Sequence, residues 1–149
     1  MEIQKVKLQM VKDKSTIYTL EQITTPTDIV KLINAHERYD LAPTEKIIVV
    51  AMDNKNHVNT YAEVATGTAG YANFNISELF KTVLLSNSNK FILVHNHPSG
   101  DATPSKEDLA ITEKINDAAD LMGLQFLDHI VIGENDDYTS IMSIKKEVK

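Results

Sequence analysis

The chain has 149 residues, 42% of them apolar and 24% charged, with a formal net charge of −6 and neither cysteine nor tryptophan. That length is one domain's worth and is enough to bury a core without cross-links. The missing thiols exclude a disulfide framework, a Cys-ligated zinc or iron–sulfur site and a cysteine nucleophile, so any metal site has to be built from His, Asp and Glu.

The charge is uneven: residues 1–14 and residues 145–149 each carry a net +2, so the body between them carries −10. Mixed ends of this kind read as solubilising, and the negative body opposes nucleic-acid binding, which works by neutralising phosphates. The opening MEIQKVKLQMVKDK lacks the apolar run of a secretory signal. The longest apolar stretch, 47–52, falls far short of the roughly 20 residues that cross a bilayer. The expectation is a cytoplasmic protein without a membrane segment.

In chain order, Ile3, Val6, Leu8 and Met10, then Ile17, Tyr18 and Leu20, alternate weakly and predict one or two strands. Pro26-Thr27-Asp28 is a helix start, and Ile29, Leu32 and Ile33 follow at helical spacing, giving a helix over 28–38. Residues 45–53 (EKIIVVAMD) read as a buried strand. Asn54-Lys55-Asn56 is a turn, and 57–66 is the returning strand of a hairpin, broken by Gly67-Thr68-Ala69-Gly70. Asn75 and Glu78 have capping-box spacing, and Ile76, Leu79, Phe80, Val83 and Leu84 share a face, predicting a helix over 76–87. A short strand over 90–94 leads into a Pro- and Gly-rich loop at 95–105. Ser105 and Asp108 cap a helix that runs to Met122, with Ile111, Ile115, Ala118, Ala119 and Met122 inward, and Gly123 stops it. Strands over 124–133 and 138–144 close the chain around an acidic turn at 134–137. The class is α+β, or mixed α/β, and not a doubly wound parallel sheet.

One segment carries chemistry: His95-Asn96-His97-Pro98-Ser99-Gly100-Asp101-Ala102-Thr103-Pro104-Ser105-Lys106-Glu107-Asp108. Side chains two apart on a strand share a face, so His95 and His97 are able to converge on one ion while Asn96 points away. Asp108, in the first turn of the next helix, is able to swing back as a third ligand. Two histidines and a carboxylate leave a coordination position for water, as in catalytic zinc sites. The alternative is a pair of structural histidines. Asp128-His129 is a second His/Asp pair. Its members point to opposite faces of their strand, and it reads as structural, with a role in orienting a ligand as the other possibility.

The spacing His-x-His, seven residues, Ser105, two residues, Asp108 resembles the JAMM metal-binding motif of MPN (JAB) domains. The longer string HNHPSGDATPSKEDLAIT, with LLSNSNKFILV before it and LDHIVIG after it, resembles the bacterial RadC-like family in particular, over about residues 45–141. The resemblance implies an MPN/JAB-like fold: a central, mostly antiparallel sheet flanked by helices in a cytidine-deaminase-like arrangement. It implies one Zn2+ per chain, with His95, His97 and Asp108 as ligands. It also implies Ser105 as the motif serine that stabilises an oxyanion, and a motif glutamate upstream as general base. Glu45, heading its strand, fits that pattern, and Glu63 is the runner-up. The chain departs from the family in carrying Ser77-Glu78 where an Arg-Glu pair is common.

Residues 1–44 are expected to form a strand and short-helix segment packing on the same single domain as 45–149, in place of the helical DNA-binding-like region of full-length members. The implied activity is a zinc-dependent hydrolase cleaving an amide or isopeptide bond in a peptide or protein substrate. The alternatives are a DNA repair- or mobile-element-associated role and a metal-binding scaffold without catalysis. Oligomeric state is left open by the sequence.

Overall fold

A computed structural model describes residues 22–67 and 74–143. The expected strands before residue 22, the breaker residues after Gly67 and the basic C-terminal end lie outside the described residues. Among the described residues, β1 (Glu45–Met52), β2 (Val58–Gly67), β3 (Lys90–Asn96), β4 (Gln125–Ile132) and β5 (Tyr138–Ser140) form one sheet in the order β2-β1-β3-β4-β5. Three α-helices among the described residues flank it: α1 (Pro26–His36), α2 (Ile76–Leu85) and α3 (Lys106–Met122). Every neighbouring pair is antiparallel except β3–β4. Parallel neighbours need a crossover, and α3 supplies it. The class is thus mixed α/β with a mostly antiparallel sheet, consistent with an MPN/JAB-like fold. No helix among the described residues is long and apolar enough to cross a membrane.

Strand alternation sorts the core into two layers. Ile48, Val50, Met52, Ile92, Val94, Ile130 and Ile132 face Ile29, Val30 and Ile33 of α1. Ile47, Val49, Ala51, Phe91 and Leu93 face Leu79, Phe80 and Val83 of α2 and Ile115 and Ala119 of α3. β1 is covered on both faces, which is why it reads as an unbroken apolar run. Phe91 stacks on Phe126 at a centroid distance of 4.9 Å and meets Phe80 edge-on at 5.7 Å. Truncating Phe91 to alanine would cost about 3–5 kcal/mol.

Helix ends follow local chemistry, with three corrections to the expectations. α1 starts two residues early because Thr25 is its N-cap and Pro26 takes the first helical position. The Asp28 carboxylate accepts from the Thr24 and Thr25 amides, which lowers its pKa to about 2. α2 has no reciprocal box: Asn75 accepts from the Ser77 amide, while Glu78 pairs with Lys81 at 2.6 Å. Met122 is 41% exposed rather than inward, since it sits beside Gly123, whose left-handed φ of 69° ends α3.

Two strand boundaries also differ by more than one residue. β3 runs on to Asn96 because His95 still pairs with Ile47 on one side and Val131 on the other. β5 stops at Ser140 rather than continuing to 144. The buried Asp128 carboxylate accepts from the Ser140 hydroxyl and the Met142 amide and turns the chain into a helical segment at 141–143.

Candidate metal centre

The end of β3, the residue after it and the start of α3 bring together three side chains that could hold a metal ion. His95 is fully buried and Asp108 is 2% exposed. His95 Nε2 lies 3.0 Å from His97 Nε2, and the two Asp108 oxygens lie 3.2 Å from His95 Nε2 and 3.4 Å from His97 Nε2. One ligand atom from each of the three residues falls within 4.8 Å of the others.

The loop between β3 and α3 is built to hold this geometry. The His97 amide donates to the Ile132 carbonyl at 2.9 Å, and the Gly100 carbonyl accepts from the Glu134 amide at 2.9 Å, seating the loop on the β4–β5 turn. Gly100 has a φ of 82°, a left-handed conformation that suits glycine. His97 Nδ1 donates to the Asp101 carbonyl at 2.7 Å. Ser105 and Asp108 then form the expected reciprocal cap: the Asp108 amide donates to the Ser105 hydroxyl at 3.0 Å, and the Ser105 amide donates to the Asp108 carboxylate at 2.6 Å.

The donor set fits a cation. A carbonyl only accepts, so the His97 proton sits on Nδ1 and its Nε2 presents a lone pair toward His95 and Asp108. Two facing imidazole nitrogens and a buried carboxylate repel unless a proton or a metal ion lies among them. With a proton in that role, the hydrogen bond to Asp108 pulls the His97 pKa up against the effect of burial. For Asp108, burial pushes the carboxyl up, but the bonds to His95 and His97 outweigh it and hold the group well below the usual carboxylate range.

The other expected residues separate clearly. β1 and β3 pair with Ile47 opposite His95, so Glu45, two residues earlier, lies across from His97 on the same face of the sheet. Its charge is close enough to add to the rise in the His97 pKa. Glu63 pairs with Ile48 and lies on the other face, with Lys46 Nζ at 3.0 Å and the Thr66 hydroxyl donating to it. Ser105 is exposed at the head of α3 beside Asp108.

A family model described as RadC-like JAB domain matches residues 23–147. The chain belongs to that family. It is 39% identical over 113 residues to a UPF0758 protein of Desulfitobacterium hafniense, covering 76% of this chain and 49% of that protein. A UPF0758 protein of Staphylococcus epidermidis is 40% identical over 121 residues, covering 81% of this chain and 52% of that one. One from Clostridium botulinum is 41% identical over 114 residues, covering 76% and 49%. The chain spans about half the length of the curated relatives it matches.

In this RadC-like JAB domain, three residues outside the expected ligand and catalytic set touch the frame of the site. Asn96, 2% exposed, accepts from the Lys46 amide at 2.8 Å and donates to the Thr44 carbonyl at 3.1 Å, bracketing Glu45. His129 meets His95 Nδ1 at 2.8 Å, so of its two readings the ligand-contacting one describes its position. Thr112, one turn after Asp108, meets His129 Nδ1 at 2.6 Å. The one sequence signal for Thr112 is a polar residue at the i+4 position from a ligand, on the helix face that turns inward.

Proposed function

We propose that this RadC-like JAB domain is a zinc-dependent hydrolase of the JAMM type, cleaving an amide or isopeptide bond in a peptide or protein substrate. The convergence of His95 Nε2, His97 Nε2 and the Asp108 carboxylate, with Glu45 across from His97, is the observation that supports this reading most. Two imidazoles and one carboxylate suit zinc, and three protein ligands are one fewer than a closed structural site uses. Bound there, zinc supplies a Lewis acid for the scissile carbonyl and a lowered pKa for a water.

The chain's own residues supply the rest. Glu45 takes a proton from the attacking water and returns it to the leaving amine. Ser105 accepts from the Asp108 amide through its hydroxyl oxygen, which leaves its own proton to donate to the developing oxyanion. His97 is held in its ligand tautomer by the Asp101 carbonyl. A peptide or protein partner is proposed over nucleic acid because acids outnumber bases by 21 to 15.

Metal analysis of the purified chain, combined with cleavage of peptide and isopeptide test substrates, checks this. The expected result is near one zinc per chain, lost in His97→Ala. Glu45→Gln should keep the zinc and lose about 10²–10⁴-fold of the hydrolysis. A zinc-free protein after preparation without chelators, or a fully active Glu45→Gln, would overturn it. Loss of activity in Glu63→Gln with Glu45→Gln unaffected would reassign the base.

A further inference from the structure

Behind the metal centre a hydrogen-bond circuit links two of the ligands through side chains that are not ligands. The Thr112 hydroxyl lies 2.6 Å from the Asp108 carbonyl. Two oxygens at that distance need a proton between them, and a carbonyl has none to give, so Thr112 donates. A hydroxyl has one proton, so Thr112 then accepts from His129, and the His129 proton sits on Nδ1, at 2.6 Å.

His129 is fully buried. A neutral imidazole carries one proton, so its Nε2 is a lone pair that accepts from His95 Nδ1 at 2.8 Å. On a neutral His95 ring this leaves Nε2 as the lone pair, and it points toward the Asp108 carboxylate at 3.2 Å. The hydrogen bonds run from the Asp108 main chain through Thr112 and His129 to His95, whose Nε2 then faces the Asp108 side chain across the space a cation would fill. The circuit draws its members from three elements, β3, β4 and α3.

We propose that Thr112 and His129 are positioning residues for the metal centre, setting His95 in the Nδ1–H tautomer and tying its ring to the first turn of α3. The proposal rests on the reading of His95, His97 and Asp108 as metal ligands. Its physical content is directional. Without the Thr112 hydroxyl, nothing in the circuit prefers Nδ1–H over Nε2–H on His129. The alternative tautomer turns a donor toward His95, forces the His95 proton onto Nε2 and removes the lone pair that a cation needs. A partner that fixes the tautomer of a ligating histidine is worth about 10–100-fold in metal affinity.

The test uses Thr112→Val, which keeps the side-chain shape and deletes the hydroxyl, Thr112→Ser, which restores it, and His129→Gln, which keeps an acceptor facing His95. Zinc affinity is measured by competition with a chromophoric chelator, with folding of each variant checked by the melting of the metal-free protein. Long-range proton–nitrogen spectra of the metal-free, unaltered chain report the histidine tautomers directly. We expect His95 and His129 both as Nδ1–H, a loss of about 10–100-fold in zinc affinity for Thr112→Val, and affinities near the original for Thr112→Ser and His129→Gln. A folded Thr112→Val that binds zinc as tightly as the unaltered chain overturns the proposal, as does a neutral His95 ring that carries its one proton on Nε2. If the unaltered chain binds no zinc, the metal reading itself fails, and the metal-free tautomer spectrum still decides whether the circuit exists. If Thr112→Val does not fold, the spectrum of the unaltered chain carries the decision.

Discussion

Asn96 faces away from the two histidines that flank it in sequence, and its side-chain amide grips the backbone on both sides of Glu45. The Lys46 amide donates to it at 2.8 Å, and it donates to the Thr44 carbonyl at 3.1 Å. β1 and β3 have their last paired residues at Ile47 and His95, so these bonds carry the register past the end of the ladder. One residue thus joins the strand of the candidate ligands to the strand of the proposed base.

Asn96→Asp keeps an acceptor and removes the donor, leaving the Thr44 carbonyl without its partner. Asn96→Ala removes both. The expected cost is about 1 kcal/mol of stability for the alanine variant, since it strands a half-buried donor and acceptor. Zinc content is expected to stay unchanged while hydrolysis falls. Denaturant unfolding and metal analysis of the two variants check this, and loss of zinc in step with activity would place Asn96 in the metal site's own support instead.

Gly133 is the seat of the ligand loop. A Cβ there would be driven into the Gly100 carbonyl and would crowd the Ala102 amide at 3.0 Å, both of them backbone atoms with little room to yield. Gly133→Ala is expected to push the 98–104 loop off the β4–β5 turn, costing about 1–3 kcal/mol and lowering the melting temperature by several degrees. The same shift moves the Asp101 carbonyl that holds His97, so zinc affinity should fall as well. A Gly133→Ala protein with unchanged melting and unchanged zinc affinity would show that the loop is not seated this way.

Ser105 has two separable tasks. As N-cap of α3 it accepts from the Asp108 amide, and as the motif serine it is proposed to donate to an oxyanion. Ser105→Asn keeps an oxygen that suits the cap but not the hydroxyl donor, whereas Ser105→Ala loses both. Melting should separate them by about 1 kcal/mol in favour of the asparagine variant, while both should lose hydrolytic rate. Equal and full activity in Ser105→Asn would remove the serine from the reaction.

The pH dependence of stability should reverse with metal. In the metal-free protein, Asp108 raises the His97 pKa above its ordinary 6.5. A group whose folded pKa lies above its unfolded one stabilises most below the unfolded value, and that contribution is lost as pH rises through the folded value. A bound cation needs the neutral ring, so metal stabilisation grows as protons stop competing. The difference in melting temperature between zinc-loaded and chelated protein is therefore expected to widen from about pH 6 to about pH 8. Thermal scans at a series of pH values measure it, and a gap that narrows over that range would remove His97 from the ligand set.

The elements of the described fold were legible wherever the signal is local. β1 announces itself by an apolar run that is covered on both faces, α3 by its Ser105–Asp108 cap and its Gly123 stop, and the group that could hold a metal by a histidine pair at a strand end spaced from a helix-start aspartate. Local pattern failed where a distant side chain intervened. Asp128 ends β5 by capturing Ser140 and Met142, and no periodicity in 138–144 encodes that.

The amino-acid sequence by itself determined the chemistry open to this protein: an all-nitrogen-and-oxygen donor set, the spacing that lets His95, His97 and Asp108 meet, and the family to which that spacing belongs. Only the tertiary structure decided which glutamate shares a face with the histidines. That depends on the β1–β3 and β1–β2 registers, which pair Ile47 with His95 and Ile48 with Glu63. It also decided that His129, 34 residues from His95 in sequence, completes the circuit behind the site. Strand order brings β4 beside β3 in parallel, and a hydrogen bond across that pair has no signature in either segment alone.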